Sequence, residues 1–118
     1  MAGNIALGAR GEDLATEFLI DAGLDIVERN WRCRYGELDV IATEDDRIVF
    51  IEVKTRSGLG YGSPAEAVTF AKRRRIRVLA LQWLGDSGRS WSKVRFDVVA
   101  VLICRNQEPV IEHFVDAF

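Results

Sequence analysis

The sequence predicts a mixed α/β fold in the order helix, three strands, helix, strand, strand. Three observations carry this. Apolar residues recur at helical spacing in two separate stretches, one over about Asn4 to Ala22 and one ending at Leu84. β-Branched and aliphatic residues flank an acidic turn at Glu44, Asp45 and Asp46 with a period of two. Lys93 to Ile103 alternates and then becomes almost continuously apolar, as a strand covered on both faces does. The 118 residues make one domain, residues 1–118, which can bury about two-thirds of its unfolded surface without metal or disulfide support. With 48% hydrophobic and 29% charged residues the composition excludes a disordered chain. No stretch approaches the length of a bilayer span, and the first residues lack the basic start and apolar run of a secretory signal. Cys33 and Cys104 stand alone without CxxC spacing, which suits a reducing cytoplasm and carries no zinc signature.

In the first helix Leu7, Leu14, Phe18, Leu19 and Ala22 share a face, and Gly23 is the expected stop. Gly8 and Gly11 each weaken it by up to roughly 1 kcal/mol relative to Ala, so a close approach of another element is expected at both. Glu12 lies on the line of Gly8 and Ala15 and reads as a solvated surface carboxylate. Leu24 to Arg34 reads as an irregular strand, whose Arg29, Arg32 and Arg34 suit either a phosphate-facing edge or a solvated one. Tyr35 and Gly36 turn the chain into the next pair of strands.

Those strands are the most informative part of the sequence. A turn of even length centred on Asp45 and Asp46 sets Asp39 opposite Glu52 and Glu37 opposite Lys54. Leu38, Val40, Ala42, Val49, Ile51 and Val53 then form an aliphatic face. The other face carries Ile41, Thr43, Ile48 and Phe50 near the turn, and Glu37, Asp39, Glu52 and Lys54 at the far end. A turn of odd length would mix the charged set with the aliphatic one, so the even register is favoured.

After Lys54 the sequence Thr55-Arg56-Ser57-Gly58-Leu59-Gly60-Tyr61-Gly62 reads as a loop leaving the charged end of the hairpin. A contact flap and a linker are both open for it; Arg56 and Tyr61 are candidate nucleic-acid contacts, Tyr61 by stacking. Ser63 as N-cap, Pro64 and Glu66 open the second helix, and Gly85 closes it after Leu84. Val68, Ala71, Val78, Leu79, Leu81 and Trp83 are its expected packing residues. Lys72 and Arg75 form one basic ridge and Arg73 with Arg77 another, with Arg74 between them. Residues 1–55 hold 6 basic and 12 acidic side chains, against 8 and 1 in residues 67–95. The net charge of −2 conceals this polarity, and segregated positive charge can attract a polyanion. After the apolar strand, Asn106 to Pro109 turns and Val110 to Phe118 reads as a final exposed strand.

Three carboxylates in one patch repel unless a cation joins them. Magnesium takes oxygen ligands, and Asp39 with Glu52 supplies a pair, while Lys54 on the same face can activate water and offset charge at phosphorus. The single histidine, His113, reads as structural or solvent-facing and excludes His-rich zinc sites. A glycosidase pair fits less well, since opposed strand residues have Cβ atoms roughly 5 Å apart.

Asp39, twelve residues and then Glu52-Val53-Lys54 resembles the signature of the PD-(D/E)xK nucleases, with Leu38 where their leading proline stands. The longer segments RGEDLATEFL, RNWRCRYGELDVI, FIEVKTR and VRFDVV resemble the YraN-like family of small uncharacterised bacterial proteins, related to archaeal Holliday junction resolvases. The resemblance covers most of the chain. It implies a restriction endonuclease-like αβββαβ core with a mixed sheet flanked by helices, to which the last strand is an addition. It also implies a magnesium- or manganese-dependent DNA endonuclease with Asp39 and Glu52 as ligands and Lys54 as the catalytic amine. It adds Glu12 to the metal site, against the solvated reading above, and leaves Glu37 as an outer partner of the site or of Lys54. Branched DNA is the implied substrate class, and cutting a two-fold branch calls for a homodimer. A non-catalytic nucleic-acid-binding or adaptor domain that keeps the fold is the alternative.

Overall fold

The computed structural model describes residues 2–57, 68–88, 90–91 and 93–118. Helix α1 spans Ala2–Asp21, followed by strands β1 (Asp25–Cys33), β2 (Gly36–Glu44) and β3 (Arg47–Ser57), helix α2 (Phe70–Ser87), and strands β4 (Lys93–Ile103) and β5 (Val110–Phe114). The sheet runs β1-β2-β3-β4-β5 in spatial order. Neighbours are antiparallel except β3 and β4, which pair in parallel from Arg47↔Lys93 to Ser57↔Ile103 through the α2 crossover. This is an αβββαβ core with an extra C-terminal strand.

The two helices cover opposite faces of the sheet. Ala15 and Leu19 of α1 pack on Val40, Ala42, Val49, Ile51, Val99 and Val101. Ile76, Leu79, Ala80 and Trp83 of α2 pack on Ile41, Ile48, Phe50, Phe96 and Val98. Phe50 meets Trp83 edge-on and stacks on Phe96, with ring centroids 5.8 and 5.6 Å apart. Trp83 Nε1 donates to Glu28 Oε1 at 3.0 Å and so fastens α2 to β1.

The hairpin holds the even register. Glu44 pairs with Arg47, Thr43 with Ile48, and so on to Val40 with Ile51, and Asp45 at the turn takes φ 55°. Helix α1 ends as expected, with Gly23 at φ 101° and the Leu24 N–H donated to the Leu19 carbonyl at 3.0 Å. Of Gly8 and Gly11 only Gly11 is a point of close approach. A methyl there would lie 2.6 Å from Thr55 Cγ2 and 2.7 Å from Thr55 Cβ, whereas Gly8 faces open space.

Several expectations are corrected. Thr55, Arg56 and Ser57 belong to β3, because β4 offers ladder partners as far as Ile103. Helix α2 has Thr69 as its N-cap, with Thr69 Oγ1 accepting from Lys72 N at 3.2 Å, and it runs through Gly85 to a left-handed Gly88 at φ 66°. Ser63, Pro64 and Glu66, like the Gly58–Gly62 segment with Tyr61, lie outside the described residues. Val78 and Leu81, expected in the core, are 61% and 70% exposed, and Ala71 is exposed too, since the sheet-facing line is 76, 79, 80 and 83. Leu38 packs on the α2 side, not with Val40. Alternation breaks between them opposite Asn30, which takes φ 54° within β1. Strand β5 ends at Phe114, and Ala117 N beyond it donates to the Phe96 carbonyl at 2.8 Å.

Candidate functional site

The ladder between β2 and β3 ends at Val40↔Ile51, and the site begins there. Residues 36–38 of β2 continue pairing with β1, while β3 continues along β4, so the strands part and leave a notch on the α2 face of the sheet. Asp39 Oδ2 fills the missing rung by accepting the Val53 N–H at 2.9 Å. Glu52, the next residue back along β3, is 7% exposed and stands beside Asp39. Burial, and then the Glu52 charge, push the Asp39 carboxyl up to about 8 despite the Val53 hydrogen bond, with the Glu12 charge a smaller contribution.

Lys54 follows Glu52 on the same face of β3, and its Nζ lies 3.7 Å from Glu52 Oε1. A second amine is closer: Lys72 Nζ of α2 is 2.6 Å from the same oxygen. Burial lowers the pKa of Lys54, and the adjacent Lys72 lowers it further. Lys72 moves the other way: burial, the largest single influence, would lower it, but hydrogen bonds with Glu52 and Lys54 and the charges of Glu52 and Asp39 together raise it. Gly36, Glu37, Asp39, Glu52, Lys72, Arg75, Ile76 and Leu79 enclose a cavity of about 250 Å³.

Glu12 approaches this group from α1 without joining it. Burial raises its pKa, Arg29 opposes that, and the charges of Glu37, Asp13 and Glu52 add to it. With its amide turned to donate, Asn30 holds both Glu12 carboxylate oxygens, at 2.8 and 3.3 Å. Among the described residues no three His, Cys, Asp or Glu side chains are grouped to hold a metal ion. Asp39 and Glu52 stand together as neighbours, and Glu12 acts on them through charge. Glu37 pairs with Arg32 at 2.8 Å and not with Lys54.

The basic helix is less uniform than its sequence. Lys72 and Arg75 both line the cavity. Arg73 Nε donates to the Val68 carbonyl at 3.0 Å, and the Arg77 guanidinium lies 4.8 Å over the Phe96 ring and 5.9 Å over Phe118. Arg74 is exposed, and Arg56 sits in β3 opposite Leu102. Two groupings were not foreseen. One is Lys72 on Glu52, for which the signal is its place one turn before Ile76, on the sheet-facing line of α2. The other is buried Asp97, which takes Arg95 in a two-point pair at 2.9 Å each, His113 Nε2 at 2.7 Å and the Asp116 N–H at 2.9 Å. Burial alone would raise the Asp97 pKa, but its bonds to His113 and Arg95 hold it below the usual carboxylate value. His113 is thus structural, joining β5 to β4.

No helix among the described residues is long and apolar enough to cross a membrane. Residues 11–101 match the sequence profile of a family described as uncharacterised protein family UPF0102. A UPF0102 protein of Rhodococcus jostii is 68% identical over the whole of both chains. One from Nocardia farcinica is 60% identical over 96% of this chain and 89% of its own. Another, from Mycolicibacterium smegmatis, is 52% identical over 91% and 88%.

Proposed function

We propose for this chain, which belongs to the uncharacterised protein family UPF0102, metal-dependent hydrolysis of DNA phosphodiesters by a domain of the PD-(D/E)xK nuclease superfamily. Branched or otherwise distorted DNA is the proposed substrate class. The observation that carries this reading is the meeting of Asp39, Glu52 and Lys54 at the notch where β2 and β3 part.

The donor set suits a hard divalent cation. Its two carboxylates are withdrawn from water, burial and mutual repulsion oppose their joint ionisation, and a lysine ammonium already stands in for positive charge on one of them. Asp39 and Glu52 would hold the magnesium or manganese, whose Lewis acidity stabilises charge at phosphorus and acidifies water. The Val53 N–H fixes which way the Asp39 carboxylate points. Lys54, with its pKa lowered by burial and by Lys72, is in the neutral form a larger part of the time than an ordinary lysine and so is more often free to accept a proton from the attacking water. Arg75 at the cavity and exposed Arg74 offer cations to the DNA backbone.

One observation favours the second reading, a non-catalytic nucleic-acid-binding or adaptor domain: Lys72 Nζ stands 2.6 Å from Glu52 Oε1 and offsets its charge. A cleavage screen over duplex, nicked, single-stranded and four-way DNA with magnesium or manganese separates the two. Cleavage is expected on at least one substrate, falling by about 100-fold or more in Asp39→Asn and Lys54→Ala. Absence of cleavage on every substrate, with salt-sensitive DNA binding retained, would establish the second reading instead.

A further inference from the structure

Glu52 Oε1 has two ammonium neighbours that differ in how they are attached. Lys54 is borne by β3 itself, two residues along the strand, and its Nζ stays at 3.7 Å. Lys72 comes from the first turn of α2 and reaches 2.6 Å. Its backbone is pinned, since Lys72 N donates to the N-cap Thr69. Its side chain is 37% exposed, so the four-carbon stem has solvent into which it can swing. Arg75, one turn further along α2, lines the same cavity.

We propose that Lys72 is the resident counter-ion of Glu52 in the cation-free protein, and that a divalent cation must displace it before Asp39 and Glu52 can bind that cation together. The inference rests on the reading of this pair as a divalent-cation site. An oxygen in a short contact with an ammonium cannot also coordinate a dication without setting two like charges within a few ångströms in a site with little water. Glu52 is too buried for solvent to neutralise it when Lys72 leaves, so the exchange is of one cation for another. The released ammonium, still rooted beside Arg75, becomes a phosphate contact. Lys72 therefore lowers metal affinity in the resting protein and adds a DNA contact once metal is present.

The test is a calorimetric titration of manganese into wild type, Lys72→Met, which keeps the apolar stem, and Lys72→Arg, which keeps the charge. Lys72→Met is expected to bind manganese about tenfold more tightly than wild type, and Lys72→Arg to stay within a few-fold of it. In parallel, amine acylation of wild type read by mass spectrometry should be slow at Lys72 without metal and several-fold faster with saturating manganese. That second measurement needs no variant to fold. Equal or weaker manganese binding by Lys72→Met, or a Lys72 acylation rate indifferent to manganese, would overturn the proposal while leaving the metal site standing. Failure of all three proteins to take up manganese would overturn both.

Discussion

The Asp39 carboxyl decides how the cation-free protein responds to pH. Its pKa is near 8 in the fold against 3.8 as the ordinary value, so the fold favours the protonated acid. Stability of the cation-free protein should then rise as pH falls from about 8 towards 4, the opposite of a salt-bridged carboxylate. Asp39→Asn, which carries no charge, should stabilise the cation-free protein at pH 8 by about 1–3 kcal/mol, and the gain should vanish near pH 4. Urea unfolding of both proteins at the two pH values checks this; a variant less stable than wild type at pH 8 would refute it. Asp97 has the other sign, with its pKa held low by His113 and Arg95 against burial, so what it contributes is present above about 3.8 and is lost in more acid solution. Asp39, Glu52 and Lys54 were legible because each stands out in an otherwise apolar, period-two pattern. Asp97 is equally out of place in an apolar run, and Arg95 two residues before it is a local partner, but His113 is brought to it by the pairing of β4 with β5, which no local pattern reports.

Among the elements, α2 was the least legible, because its outer face carries Phe70, Val78 and Leu81, all well exposed. Apolar residues on both faces blur the 3.6-residue period and hid Lys72 on the inner line. Gly85 and Gly88 compete as its stop, and only the second has the left-handed backbone that a cap needs. Opposite outcomes follow for the same substitution. Gly85→Ala should stabilise the protein by up to about 1 kcal/mol, since the site is helical and nothing lies within 4 Å of the added methyl. Gly88→Ala should destabilise it by about 1 kcal/mol through the positive φ. Thermal unfolding of the two variants reads the difference in sign. In β1 and β2 the face switch at Asn30 was hidden for another reason: alternation assumes every residue is extended, and one left-handed residue defeats it.

Over the whole molecule, the order of elements and the mixed sheet follow from patterns that extend across many residues, and these were legible. The covering of the site was not, because it depends on which helix end reaches the notch. The carboxylates belong to the acidic first half of the chain and their nearest ammonium to the basic second half, so the polarity of the sequence is neutralised at one point in space. The parallel ladder of β3 and β4 has a kinetic consequence. The β2–β3 hairpin closes over a two-residue turn, a microsecond event, whereas β4 reaches β3 only after the intervening chain and α2 have crossed over. Asp39 and Glu52 would then be brought together early in folding, before Lys72 can cover them. Val49→Ala in the hairpin should mainly slow refolding, and Leu79→Ala in α2 should mainly speed unfolding, in stopped-flow chevrons. The reverse partition would place the crossover first. In a cell, the two carboxylates would meet the surrounding cations while the nascent domain is still open, and the lysine would arrive second.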